Sequence, residues 1–165
     1  MKIKFRTIVL LLTFLTAYSA QAQDTVSPDD FKIIIGEWTG SLTYIDYSSN
    51  KPYTMPANLK VEQGKNQNQL LLKYIYPNEP KANSKDKIKF SKSGDLINNK
   101  IVKSKQALEN GQLQITTEYS GKDNNKTALI RNLFILGENQ FIIRKEVKFN
   151  DSDGWITRNE YNFKR

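Results

Sequence analysis

The feature that most constrains this chain is an alternation of apolar and polar residues that recurs in runs from residue 37 to residue 164. Each run spans eight to twelve residues and ends at Gly, Asn, Asp or Pro, the residues that favour turns. Strands with one apolar face, joined by short turns, can satisfy their edges by closing into a barrel. The pattern therefore predicts an all-β, antiparallel up-and-down β-barrel of 8–9 strands, with a two-sheet sandwich as the alternative.

The alternation also places the strands along the chain. We expect them at residues 37–47, 53–63, 69–76, 85–91, 96–106, 112–120, 127–136, 140–149 and 155–164. Pro56 indicates a bulge or an edge position, because proline cannot donate a ladder hydrogen bond. Asn110-Gly111 predicts a two-residue hairpin, and residues 121–125 predict a longer turn.

A short N-terminal helix is predicted over Pro28–Ile34, where it would cap one end of the barrel. Ser27 is a favourable N-cap, and proline suits the first helical position. The apolar residues Phe31, Ile34 and Ile35 could cover the end of the barrel on one side of this helix. The segment is interpreted as a lid or plug.

The first 22 residues have the three parts of a secretory signal peptide. Basic residues precede an uncharged apolar run at 7–16, and Ala20-Gln21-Ala22 supplies the small residues at a cleavage site. We therefore expect a signal peptide at 1–22 and a single domain at 23–165. The mature protein would be exported, to the periplasm or out of the cell.

The residue census limits the chemistry. The chain contains no histidine and no cysteine, so a Ser-His-Asp triad, a thiolate nucleophile, disulfides and ordinary zinc or haem ligation are excluded. We expect no enzyme activity, no cofactor and no metal. The remaining catalytic alternative is an acid/base pair of carboxylates, of the glycosidase kind, between Asp46 and one of Glu118, Glu146 and Glu160.

Positive charge is concentrated in the segment 81–105, which carries eight lysines against Asp86 and Asp95. This segment could contact an anionic membrane surface or polysaccharide. Alternatively, its lysines protect an exposed edge strand against aggregation. We expect no nucleic-acid partner, because no recognition motif is present. We also expect a monomer.

The order of these features resembles a known group of proteins. A short helix, then Gly36-x-Trp38 at the start of the first strand, then an antiparallel meander ending at Lys164 and Arg165 is similar to the lipocalin-like, or calycin, barrels. The resemblance covers the mature chain, and small exported bacterial proteins of unassigned role are the nearest match, because disulfide cysteines are missing. It implies that Trp38 lies inside the closed end and that Arg165, or Lys164, lies over its ring.

Several aromatic and polar residues share the inward phase of their strands and could line a cavity. These candidate ligand-binding residues are Trp38, Tyr44, Asp46, Tyr74, Tyr76 and Tyr119. A tyrosine offers flat apolar area with a polar tip, which suits a small amphipathic or hydrophobic ligand. The alternative is that these rings simply fill a narrow interior.

Arg144 and Arg158 allow two interpretations. Their strand phase first predicts ion pairs with neighbours such as Glu160 on the outer face. Ile142 and Ile156 lie on the same face as these arginines, so both faces of the two strands carry apolar residues and either face could point inward. If the arginines point inward, they would bind an anionic headgroup inside the barrel. They complete the list of candidate ligand-binding residues.

The functional prediction from the sequence is an exported, non-catalytic protein that binds a small amphipathic or hydrophobic molecule. The alternative is a barrel that serves as a scaffold for surface or envelope interactions. In that case its loops and the lysine-rich 81–105 edge would contact a protein, a glycan or an anionic lipid.

Overall fold

The chain forms one antiparallel β-sheet that curls into a nearly closed barrel, in a computed structural model that describes residues 24–165. The predicted signal peptide at 1–22 lies outside the described residues. The strands are β1 (Gly36–Ile45), β2 (Pro52–Pro56), β3 (Asn58–Gln63), β4 (Gln69–Ile75), β5 (Ser84–Lys89), β6 (Leu96–Ile97), β7 (Lys100–Ala107), β8 (Leu113–Asp123), β9 (Lys126–Leu136), β10 (Gln140–Phe149) and β11 (Ile156–Lys164).

From β3 to β5 and from β6 to β11, strands that follow one another in sequence lie side by side, and both β2 and β3 pair with β1. Because β1 also pairs with β11, the sheet has the connectivity of an up-and-down barrel. The remaining seam lies between β5 and β6. There Phe90 bridges Ile97, and the Ser91 amide donates to the Leu96 carbonyl at 3.0 Å. The barrel is therefore nearly closed, as the alternation predicted.

The prediction of 8–9 strands is wrong, because residues 24–165 form eleven strands, or ten if β2 and β3 count as one bent strand. The expected strand at 53–63 divides after Pro56, where the Ala57 amide donates to the Gly40 carbonyl at 2.9 Å. β2 pairs with the distal part of β1 and β3 with its first residues. The expected strand at 96–106 divides at Asn98 and Asn99, whose φ angles of 50° and 61° form a two-residue turn.

Two turns also differ from expectation. The turn at 121–125 is confined to Asn124 and Asn125, which have φ angles of 47° and 62°. Asp123 pairs with Lys126, so it belongs to β8. Around Asn110-Gly111 the turn is longer than two residues, because the Leu108 amide donates to the Gln112 carbonyl at 2.8 Å.

The N-terminal segment Pro28–Ile34 is a 3-10 helix, so the prediction of an ordinary capping helix is only partly right. Its start is fixed by the Ser27 amide, which donates to the Asp30 carboxylate at 2.8 Å. Phe31 and Ile34 are fully buried, and the Phe31 ring packs 4.9 Å from the Phe90 ring. This turn of helix therefore plugs one end of the barrel, called the closed end below.

Trp38 anchors the closed end. It is 2% exposed, and its indole N–H donates to the Ile34 carbonyl at 2.8 Å. The Arg165 guanidinium lies 4.3 Å from the indole centroid and donates to the carbonyls of Ile33 and Ile35 at 2.7 and 3.1 Å. The expected contact between the early tryptophan and the final arginine is confirmed.

Because β1 and β11 pair closely, a side chain added at Gly40 should lower the stability of the protein. A Cβ there would lie 2.1 Å from the Asn162 carbonyl oxygen, a backbone atom that cannot move alone. Gly40→Ala should therefore lower the free energy of unfolding by about 2–3 kcal/mol, the cost of overpacking. Urea denaturation followed by tryptophan fluorescence measures this.

Gly154→Ala is the matched control, because nothing lies within 4 Å of its Cβ position. It should change stability by less than about 0.5 kcal/mol. Equal stability of the two variants would contradict the register of β1 and β11.

Candidate functional site

The end of the barrel away from the helical plug carries a cavity of about 540 Å³ that opens to solvent. It lies where β1 ends beside the start of β11, since Leu42 pairs with Tyr161 and Tyr44 with Asn159. The lining residues are Leu42, Tyr44, Ile45, Asp46, Tyr47, Ser48, Arg158, Asn159 and Tyr161. We call this cavity the mouth; its volume is within the roughly 300–1,000 Å³ range of small-molecule sites.

The inner wall of the mouth is aromatic. The Tyr161 ring packs against the Tyr74 ring at 4.9 Å, and its hydroxyl shares a hydrogen bond of 2.8 Å with the Tyr76 hydroxyl. Burial raises the pKa of Tyr74, and burial together with the Tyr76 hydroxyl raises the pKa of Tyr161. These phenols therefore stay neutral near pH 7 and present flat, uncharged surface.

Asp46 lies on the outer rim of the mouth, in the turn between β1 and β2. Its carboxylate accepts hydrogen bonds from the Ser48 amide at 2.9 Å and the Ser49 amide at 2.8 Å, as well as from both hydroxyls. Hydrogen bonds from the Ser48 side chain and then from Ser49 lower the pKa of Asp46 to about 2. The residue is an ionised, partly buried carboxylate that stabilises the turn.

A second carboxylate, Asp123, is buried at the same end of the barrel with its side chain 1% exposed. It accepts hydrogen bonds from the Tyr47 hydroxyl at 2.8 Å, from Lys145 Nζ at 2.8 Å and from Arg158 Nε at 2.7 Å. We call these four residues the Asp123 cluster. Burial opposes ionisation, but the hydrogen bonds of Lys145 and Tyr47 outweigh it, so the pKa of Asp123 lies below its ordinary value. The cluster ties β8, β10, β11 and the turn after β1 together.

A β-bulge explains how Arg158 reaches this cluster. Lys145 pairs with Asn159 but Glu146 pairs with Thr157, which leaves Arg158 as the extra residue on β11. Its side chain turns towards the mouth, where the guanidinium lies 4.8 Å from the Tyr47 ring and 5.6 Å from the Phe149 ring. Because of the bulge, the Arg158 side chain does not point outward, although its position in the alternation predicts an outward direction.

The other arginine keeps the outward phase. Arg144 Nε donates to the Glu160 carboxylate at 2.5 Å, and its Nη1 lies 3.6 Å from Glu146. Arg131 Nε donates to Glu146 from the neighbouring strand, also at 2.5 Å. These groups form a charge ladder across the outer face, with Glu118 paired opposite Arg131. Asp46 accepts hydrogen bonds from Ser48 and Ser49 in its own turn, whereas Glu146 and Glu160 are bonded to arginines on the outer face, so the structure does not bring Asp46 together with the glutamates considered as its partners.

The remaining candidate residues fall into four places. Tyr44 lines the mouth, whereas Tyr74 and Tyr76 lie behind Tyr161 and are 8% and 7% exposed. Trp38 belongs to the closed end. Tyr119 packs in a separate small apolar cluster with Lys100 Nζ 3.9 Å from its ring centroid.

Sequence reasoning missed Tyr47, Asp123, Lys145, Asn159 and Tyr161 as parts of the site. Asp123 follows Tyr119 and Gly121 in the inward phase of β8, a signal that was obscured by assigning residues 121–125 to a turn. Lys145 shares the inward phase of Phe141 and Ile143 and could have been found in the same way. The bulge at Arg158 has no comparable signature in the sequence.

Within residues 24–165, no helix is long and apolar enough to cross a membrane, and no group of three or more acidic side chains is placed to hold a metal ion.

Comparison with known proteins assigns no function. No family model matches the chain, and no curated protein is similar to it. A solved structure from Nostoc punctiforme, a protein of unknown function of the DUF3598 family, aligns with a TM-score of 0.40 and 14% identity over 87% of this chain. The alignment covers 50% of that protein, so the chain spans about half the length of this structural neighbour.

The buried Asp123 cluster predicts how stability depends on pH. Asp123→Asn keeps the side-chain shape but leaves two partly buried cations without their counter-charge, which should cost about 3 kcal/mol at neutral pH. Because the folded-state pKa of Asp123 is depressed, its contribution is present above an unfolded pKa of about 4 and is lost as the pH falls through the folded value. Urea unfolding of both proteins between pH 7 and acid measures the difference.

The stability difference between the native protein and Asp123→Asn should therefore shrink below about pH 4. Asp151→Asn, which removes the same charge from an exposed turn, is the control and should give a difference near zero at every pH. A difference for Asp123→Asn that stays constant down to the acid limit would contradict the ion-paired cluster.

Proposed function

We propose that this protein binds a small amphipathic molecule in the mouth of its barrel and is not an enzyme. The observation that carries the proposal is the combination of an aromatic wall and a polar rim around about 540 Å³ of open space. Apolar lining with a few convergent polar groups is the usual character of a small-molecule site.

The division of the barrel into two ends supports this proposal. At the closed end the interior is filled by fully buried side chains, among them Phe31, Trp38, Phe141 and Phe163. At the mouth, Tyr44 and Tyr161 are only partly buried although they face inward. A ligand therefore has space to pack against the tyrosine rings at the mouth, whereas side chains already fill the interior at the closed end.

We also propose that the barrel is of the calycin type and that the protein is exported after cleavage near Ala22. The support for the first point is the contact of Arg165 with Trp38 at the plugged end, together with the pairing of β1 and β11. The support for the second is the charge and apolar pattern of residues 1–22.

Binding can be tested with N-phenylnaphthylamine, an uncharged amphiphile whose fluorescence rises in apolar surroundings. The probe should bind the native protein, and Asn159→Trp should weaken binding at least about tenfold, because the added indole occupies the mouth. Fluorescence titration gives both dissociation constants.

Lys148→Trp is the matched control, since it adds the same indole in the outward phase of β10, and it should leave the affinity unchanged. Absence of probe binding to the native protein, or equal binding by Asn159→Trp, would overturn the mouth as a binding site.

A second candidate function is contact with an anionic lipid surface through β5. Lys85, Lys87 and Lys89 are all exposed, and the edge of β5 near Lys87 and Lys89 is covered by the Asn98 side chain rather than by a full strand. The native protein should then sediment with vesicles that contain anionic lipid. Replacing the three lysines with Gln should abolish this, whereas replacing Lys122, Lys126 and Lys148 should not.

A further inference from the structure

We infer that the ligand of the mouth carries an anionic group, a carboxylate or a phosphate, which binds the Arg158 guanidinium while a short apolar body packs against Tyr161. This inference rests on the proposed function and adds the chemical class of the ligand. The observations that support it are the position of Arg158 at the mouth and the single acceptor residue that Arg158 has among the described residues.

Arg158 lines the mouth with its side chain only 10% exposed. Asp123 is its only acceptor residue among the described residues, and Arg158 Nε donates to Asp123 Oδ2 at 2.7 Å. No buried side-chain nitrogen in residues 24–165 lacks a hydrogen-bond partner, so any Nη donor that Asp123 does not accept is accessible to solvent. A guanidinium presents its Nη donors as a planar fork that matches the two oxygens of a carboxylate or phosphate.

The position of this fork is fixed before any ligand arrives. Asp123 holds the guanidinium from one side, and the Tyr47 and Phe149 rings lie 4.8 and 5.6 Å from it. Tyr47 is itself held by its hydrogen bond to Asp123. A pre-positioned donor loses little conformational entropy on binding, which favours affinity.

The charge of the Asp123 cluster also favours an anion. Lys145 and Arg158 carry two positive charges against one negative charge on Asp123, so the cluster has a surplus of one positive charge. Asp46 is the carboxylate among the residues that line the mouth. It is partly buried at the rim and accepts hydrogen bonds from the Ser48 and Ser49 amides, which offset part of its repulsion of an anion.

The spacing along β11 limits the size of the ligand. Arg158 and Tyr161 are three residues apart, which corresponds to roughly 10 Å along a strand. The inference therefore favours an amphiphile whose apolar part is one or two rings or a short alkyl chain, with the anion at one end.

Two related fluorescent probes test the inference. Anilinonaphthalenesulfonate carries a sulfonate, and N-phenylnaphthylamine has nearly the same body without it. Arg158→Gln should weaken binding of the anionic probe about tenfold more than binding of the uncharged probe, because only the anionic probe loses a charge-assisted pair. Arg144→Gln is the matched control, because it removes the same charge from the outer face and should change neither affinity.

A second variant keeps the test valid if Arg158→Gln does not fold. Arg158→Lys retains a cation beside Asp123 but lacks the fork, so the anionic probe should still bind several-fold more weakly while circular dichroism matches the native protein. Octanoate and octyl phosphate then distinguish the two anions as competitors. Displacement of the probe by either one, but not by octanol, supports the inference and identifies the preferred group.

The outcomes separate the two proposals. If neither probe binds the native protein, the proposed function fails and the inference with it. If both probes bind, and Arg158→Gln and Arg144→Gln leave the anionic probe unchanged, the mouth is a binding site but its anion specificity is wrong. Displacement by octanol as effective as that by octanoate would overturn the inference in the same way.

Discussion

The pairing of β1 with β11 is the constraint on which the rest of the structure depends. It joins the first strand of the described chain to the last, with Thr39 opposite Lys164 and Tyr44 opposite Asn159. Without this pairing, the sheet would have two open edges and no interior. Both ends of the molecule are built on these two strands, because Trp38 meets Arg165 at one end and Tyr47 meets Arg158 at the other.

At each end of the barrel a guanidinium lies against an aromatic ring, but the two arginines have different numbers of hydrogen-bond acceptors. This difference explains why one end is packed and the other is open. Arg165 donates to the carbonyls of Ile33, Ile35 and Glu138, and it holds the 3-10 helix against the barrel. Arg158 has only one acceptor among the described residues and lies at the bulge beside open space. The first arginine completes a packed end, and the second has a single acceptor residue and lines the mouth.

The sequence predicted the barrel because period-two alternation directly reports which side of a strand is buried, as for Trp38 and Leu42. It could not predict the strand count, since the break after Pro56 and the two-residue turn at Asn98-Asn99 each divide a run that was predicted as one strand. For the site, alternation placed Tyr44 and Asp46 at the mouth. It gave Arg158 the wrong neighbours, because one bulged residue reverses the facing of a strand and leaves no mark in the sequence.

The location of the bound anionic probe tests the account most directly. Amide chemical-shift changes on adding anilinonaphthalenesulfonate to the isotopically labelled protein show where the probe binds. We predict that the largest changes fall in residues 42–48 and 157–161, with little change around Trp38 and on the outer face near Arg144. Changes centred on the lysines of β5, or on Gln112 and Gln140, which line a second cavity beside Ile33 of the helical plug, would contradict it.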